Sequence, residues 1–246
     1  MAAGGSGLLS ASSSTFDLYD FFSMLIPGAA LVLGVLPFAP KETPVDAAGL
    51  VVVLLVSGYI AGRGLHTIAE SIDNILGKRS HRDFFVDVLQ GTEELLDPAT
   101  VDEFYDVATT FADSPDLPDD RADASATELE TLYLYVRARI HMHGQGRSRT
   151  FQAIHAFYRS THLTFVCLAI LYFVFGAGVF FGLFSGIGSF TSYWGTLGLS
   201  GNTFVAISEL IAAVSLAAFH DAKGDYREYF IQYLLIDFLM IESPPD

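Results

Sequence analysis

The chain has 246 residues, 51% of them apolar, and carries 13 basic against 28 acidic side chains, a formal charge of −15. That balance excludes a general nucleic-acid binder, which needs a basic surface. The single cysteine, Cys167, excludes an intrachain disulfide and a cysteine-rich metal site.

Residues 1–15 are rich in Gly, Ala and Ser and are expected to be disordered. The apolar residues that follow fall into long blocks, and four segments are expected to cross a bilayer. A hydrocarbon core about 30 Å thick needs about 20 helical residues. The first segment runs from about Leu18 to Phe38. Pro27 and Gly28 within it predict a local kink whose freed backbone groups face protein. No basic run precedes it, and Asp17 and Asp20 stand just before it, so a cleaved signal peptide is not expected. The second segment begins near Ala47 and continues as an amphipathic helix to about Ile75. Residues 16–75 thus form a first transmembrane hairpin.

Residues 76–161 are too long for a plain loop and are expected to form a helical insertion. Asp83 to Glu130 holds 15 acidic residues and one basic residue, Arg121, whereas Thr131 to Thr161 holds five arginines and no acid. Apolar spacing near 3.6 predicts helices at about Arg82 to Leu96, Ala99 to Phe111 and Ala126 to His141. Thr127 followed by Glu130 suggests a capping box at the start of the last. The group Arg137, Arg139, Arg147 and Arg149 is suited to anionic lipid headgroups.

A second hairpin is expected over residues 162–219. Its first member, Leu163 to Phe184, is free of charge. Its second, about Asn202 to Phe219, is short and contains Glu209. Residues 220–246 read as an amphipathic helix, interfacial or packed beneath the bundle, followed by a loose tail. Basic residues flank the spans at Lys78, Arg79, Arg82, Arg147, Arg149, Arg159, Lys223 and Arg227, all on one side of a four-span chain. The positive-inside tendency makes that side the cytoplasm, with both termini and the insertion inside. Tyr193 and Trp194 then suit the outer interface. The expected fold class is therefore all-α, a polytopic cell-membrane protein with four transmembrane helices and a helical cytoplasmic insertion between the second and third.

Ionisable groups within spans are functional candidates by default, because burying them in hydrocarbon is expensive. Arg63, His66 and Glu70 are spaced to share one helix face, with Arg63 about 24 Å along the second segment. Span ends bring His155, His162, His220 and Asp221 to a similar depth. His66, His162, His220 and Asp221 could hold a zinc ion, with Glu70 as general base. No HExxH or other specific zinc spacing supports this, and a structural hydrogen-bond network is the plainer expectation, with no resident cofactor. Glu209 is either a protonated, hydrogen-bonded carboxyl or part of an ion path. Gly58 and Gly62, and Gly178, Gly182 and Gly186, recur at four-residue steps and offer close helix packing, within the bundle or along a homo-oligomer seam.

No Walker A motif, dinucleotide fingerprint, serine elbow or zinc-finger spacing is present. The excess of Asp over Lys resembles the composition of proteins from salt-loving archaea. The expected role is a non-enzymatic sensing, scaffolding or oligomeric assembly component of the lipid bilayer. The alternatives are a metal-dependent membrane hydrolase at the cytoplasmic rim and a small channel or transporter using Glu209.

Overall fold

A computed structural model describes residues 21–38, 47–76, 78–112, 117–143, 147–183, 200–220 and 222–243. Among these the fold is helical and contains no strand. A π-helical turn, Phe21–Leu25, leads into α1, Ile26–Val35, which ends in a short 3-10 turn, Leu36–Phe38. There follow α2 (Ala47–Ile75), α3 (His81–Leu89), α4 (Pro98–Ala112), α5 (Ala126–His143), α6 (Ser148–Phe180), α7 (Gly201–Ser215, continued by a π-helical turn Leu216–His220) and α8 (Ala222–Glu242).

Among the described residues, three helical stretches are long and apolar enough to cross a membrane: Ala48–Ile75, Ser148–Phe180 and Asn202–Glu242. A shorter apolar helix covers Phe21–Val35. Most of this apolar surface faces outward. Val52 is 59% exposed, Ile60 67% and Leu210 65%. A helix that is hydrophobic all round and unburied within its own chain is suited to lipid.

The chain divides into two compact units, one of residues 1–70 and 156–223, the other of residues 71–155 and 224–246. In the first, α1 and α2 meet backbone to backbone. A Cβ on Gly28 would lie 1.8 Å from the Gly58 carbonyl oxygen, and one on Gly62 would lie 1.8 Å from that of Met24. α6 ties to α1 and α7 through side chains. Thr164 Oγ1 donates to the Pro27 carbonyl (3.2 Å), Tyr172 OH to that of Gly34 (3.0 Å), and Ser208 Oγ on α7 to that of Ala169 (2.9 Å). Phe38, Tyr172, Phe175 and Phe204 pack edge to face or tilted around this contact.

α6 ends at Phe180, short of the expected Phe184. Gly182 takes a φ of 70°, its N–H bonding the Val179 carbonyl (3.2 Å) and that of Leu183 the Gly178 carbonyl (2.9 Å). This is the paired-bond termination in which a left-handed residue closes the last turn, a conformation easy only for glycine.

The second unit has its own core. Phe85, Leu89, Phe104, Leu129, Leu132, Val136 and Ile140 from α3, α4 and α5 are fully buried together with Phe230, Leu234, Leu235 and Phe238 from α8. The C-terminal helix, read from sequence as interfacial or packed beneath the bundle, supplies part of the core of this unit. Phe104 and Phe238 meet edge to face at 5.5 Å, and Phe151 stacks on Tyr233 at 4.6 Å. The buried Asp237 carboxylate on α8 accepts the Ser148 N–H (2.8 Å), satisfying a donor at the start of α6 where anions are favoured.

The caps follow local chemistry. Ser80 and Asp83 form a reciprocal box at α3, each side chain accepting from the other's backbone N–H (3.1 and 2.9 Å). At α5 the box is Ser125 with Glu128, not Thr127 with Glu130. The Ser125 hydroxyl and N–H both donate to Glu128 at 2.7 Å and hold its carboxyl below the usual glutamate range. Arg121 spans two helices, donating to Asp102 on α4 and to the Leu89 carbonyl at the end of α3, each at 2.5 Å.

Candidate functional site

Among the described residues, the polar side chains expected at the rim of the membrane-spanning helices do not come together in one centre. His66 on α2 lies with Nε2 3.4 Å from Nη2 of Arg159 on α6. A guanidinium only donates, so Nε2 is the acceptor in this contact. His162, one turn further along α6, faces α7. Its Nδ1 is 2.9 Å from Ser215 Oγ, and the same hydroxyl donates to the His162 carbonyl at 3.3 Å. That pattern has Ser215 accepting the Nδ1–H while donating to the main chain.

Tetrahedral zinc would need His nitrogens about 2.0–2.1 Å from a common point. Among the described residues no three His, Cys, Asp or Glu side chains come together closely enough to hold a metal ion. Glu70, the expected general base, is exposed. Asp221 and the His220 side chain lie outside the described residues. His155 belongs to the second unit, where its ring meets His81 edge to face at 4.7 Å, and His81 meets Phe230 at the same distance.

Among the described residues, Arg63 and Glu209 are charged side chains on outward faces within apolar runs. Arg63 is exposed on α2. Glu209 is exposed on α7 beside Leu210, although its neighbour Ser208 is buried and bonded to α6. The hydroxyls nearest in register to Glu209 are engaged with main-chain carbonyls. Ser57 donates to the Val53 carbonyl of its own helix, and Ser208 to Ala169.

Of the glycines, Gly58 packs on Ala29 of α1 and Gly62 on Met24 of the π-helical turn before it, contacts within the same chain. Gly178 is buried, Gly182 ends its helix, and Gly186 lies outside the described residues.

The arginines suited to lipid headgroups are partly engaged inside the second unit. Arg139 pairs with Glu242 at 2.6 Å and lies 4.7 Å from the centre of the Phe111 ring. Arg147 stands 6.0 Å from the centre of the Tyr233 ring.

Sequence reasoning missed the pairing of His66 with Arg159, because depth along a helix gives no azimuth. It also missed Ser215, whose hydroxyl is common in apolar helices and carries no signal by itself. Comparison with protein-family models, curated proteins and solved structures finds no match.

Proposed function

We propose that the chain is a multi-pass cell-membrane protein with four spans and cytoplasmic termini, acting as a non-enzymatic assembly component. It would self-associate in the bilayer and display an acidic helical unit in the cytoplasm. The observation that carries this reading is the outer face of α7. Asn202, Ala206, Glu209, Ala213 and Ala217 recur there at steps of three and four, and all are exposed. Ionisable side chains in spans nearly always face protein or water rather than lipid. Small residues let helices approach closely, and polar ones hydrogen-bond across the contact. A second copy on this face would remove Glu209 from hydrocarbon and give its carboxyl and the Asn202 amide partners. The contacts His66–Arg159 and His162–Ser215 favour a structural network over a reaction centre.

Disulfide trapping tests this in membranes. With Cys167→Ala removing the native thiol, Ala213→Cys is expected to give a crosslinked dimer on mild oxidation. Ala206→Leu on that background should abolish the dimer without loss of folded protein. A chain that stays monomeric, uncrosslinked and folded would contradict the reading. The transport reading is favoured by the same exposed Glu209. It requires ion flux into liposomes that Glu209→Gln removes.

A further inference from the structure

On an exposed face, α2 carries a shallow groove of about 420 Å³ lined by Tyr59, Ile60, Arg63, Gly64, Thr67 and Ile68. These positions fall at i, i+1, i+4, i+5, i+8 and i+9, so the groove runs along one side of the helix. Its walls are Ile60 and Ile68, which are 67% and 53% exposed. Its floor is Gly64, where an added Cβ would meet nothing within 4 Å. Arg63 sits in the same groove and is exposed. Among the described residues it forms no ion pair. The next carboxylate along α2 is Glu70, seven residues on and roughly 10 Å along the axis, beyond ion-pair reach.

We propose that this groove is a binding site for an anionic phospholipid, with Arg63 on the phosphate and an acyl chain lying over Gly64 between Ile60 and Ile68. Arg63 is the first charge on a helix whose preceding turns are apolar, about 24 Å from the helix start. An aliphatic stem of that length carries its head toward the nearer interface, where phosphates are the available anions. The guanidinium presents a planar fork that matches two phosphate oxygens. Lipid tails are as apolar as the groove walls, so the chain contact supplies fit and little drive. Selectivity therefore falls on the headgroup. A lipid with net negative charge gains the full attraction of Arg63, whereas in a zwitterionic lipid the choline cation opposes it. This site is distinct from the arginines of the second unit. It rests on α2 lying in a bilayer and not on self-association through α7.

Native mass spectrometry of the full chain, released from detergent with equal phosphatidylglycerol and phosphatidylcholine, reads the site directly. The expected result is one retained phosphatidylglycerol per chain. Retention should fall about tenfold in Arg63→Gln and recover in Arg63→Lys at least in part. Gly64→Leu should also reduce retention while keeping the charge, and the open space at Gly64 makes that variant compatible with the fold. Inorganic phosphate added alone should neither bind nor displace the lipid. Equal retention of the two lipids, unchanged retention in Arg63→Gln, or displacement by inorganic phosphate would overturn the proposal. So would exclusion of lipid by a second chain, seen as a lipid-free dimer. A lipid-bearing monomer would uphold this site while contradicting the assembly reading.

Discussion

Adding a methyl group at Gly62 or Gly28 would drive it into main-chain atoms of the neighbouring helix, at 1.8 Å in both cases. Backbone cannot move aside as a flexible side chain can. Gly62→Ala is therefore expected to destabilise the first unit by about 2 kcal/mol or more, read as a lower thermal midpoint in detergent. Gly64→Ala, two residues away with open space around it, should leave the midpoint within error. The four-residue spacing of these glycines was legible in the sequence. Their partner was not, because spacing is the same for a contact within the chain and one between copies. Gly182 shows a different limit: its left-handed backbone is set by where α6 stops, which the surrounding apolar run conceals.

The capping box at α5 gives a pH-dependent prediction. Glu128 is held below the ordinary glutamate range by the Ser125 hydroxyl and N–H. A depressed carboxylate adds stability that is complete above its unfolded value and is lost as pH falls through the folded one. Ser125→Ala should therefore lower the thermal midpoint of the second unit at pH 7. The difference from the parent chain should shrink as acid protonates Glu128. Circular dichroism across pH 7 to 3 checks this, and an undiminished difference at the acid end would contradict it. The stretch Ser-Ala-Thr-Glu-Leu-Glu fits a box at either Ser125 or Thr127. Packing of Leu129, Leu132, Val136 and Ile140 selects the earlier start, and that packing is not visible in the local pattern.

At the scale of elements, α8 decides whether the second unit has a closed core. Its Phe230, Leu234, Leu235 and Phe238 lie fully buried with residues of α3, α4 and α5. Phe238→Ala is expected to cost about 3–5 kcal/mol. A chain ending after Lys223 should leave residues 76–143 open to proteolysis. If that segment resisted protease as it does in the full chain, the shared core would be wrong. Arg121→Ala should separate α3 from α4 at their ends, costing about 2 kcal/mol by loss of charged hydrogen bonds to Asp102 and Leu89. An amphipathic stripe was readable in α8, but its destination was not. The same tyrosines, phenylalanines and leucines suit a membrane interface and a helical core equally well. The helices of the second unit were legible because apolar residues recur near every 3.6 positions, and the absence of strands among the described residues agrees.

For the whole molecule, the membrane character was the most legible property, since length and unbroken apolarity are enough to state it. Three stretches meet that standard in the structure, with a fourth, shorter apolar helix at Phe21–Val35. The rim site was the least legible, because it depended on azimuth as well as depth. The structure sends His66 to Arg159 and His162 to Ser215. The proposed assembly reading requires one sidedness, and single-cysteine labelling with a membrane-impermeant maleimide measures it most directly. On a Cys167→Ala background, Ser189→Cys should react in intact cells, and Asp119→Cys should react only after the membrane is opened. Equal reaction of both positions in intact cells would contradict a four-span chain with a cytoplasmic acidic unit.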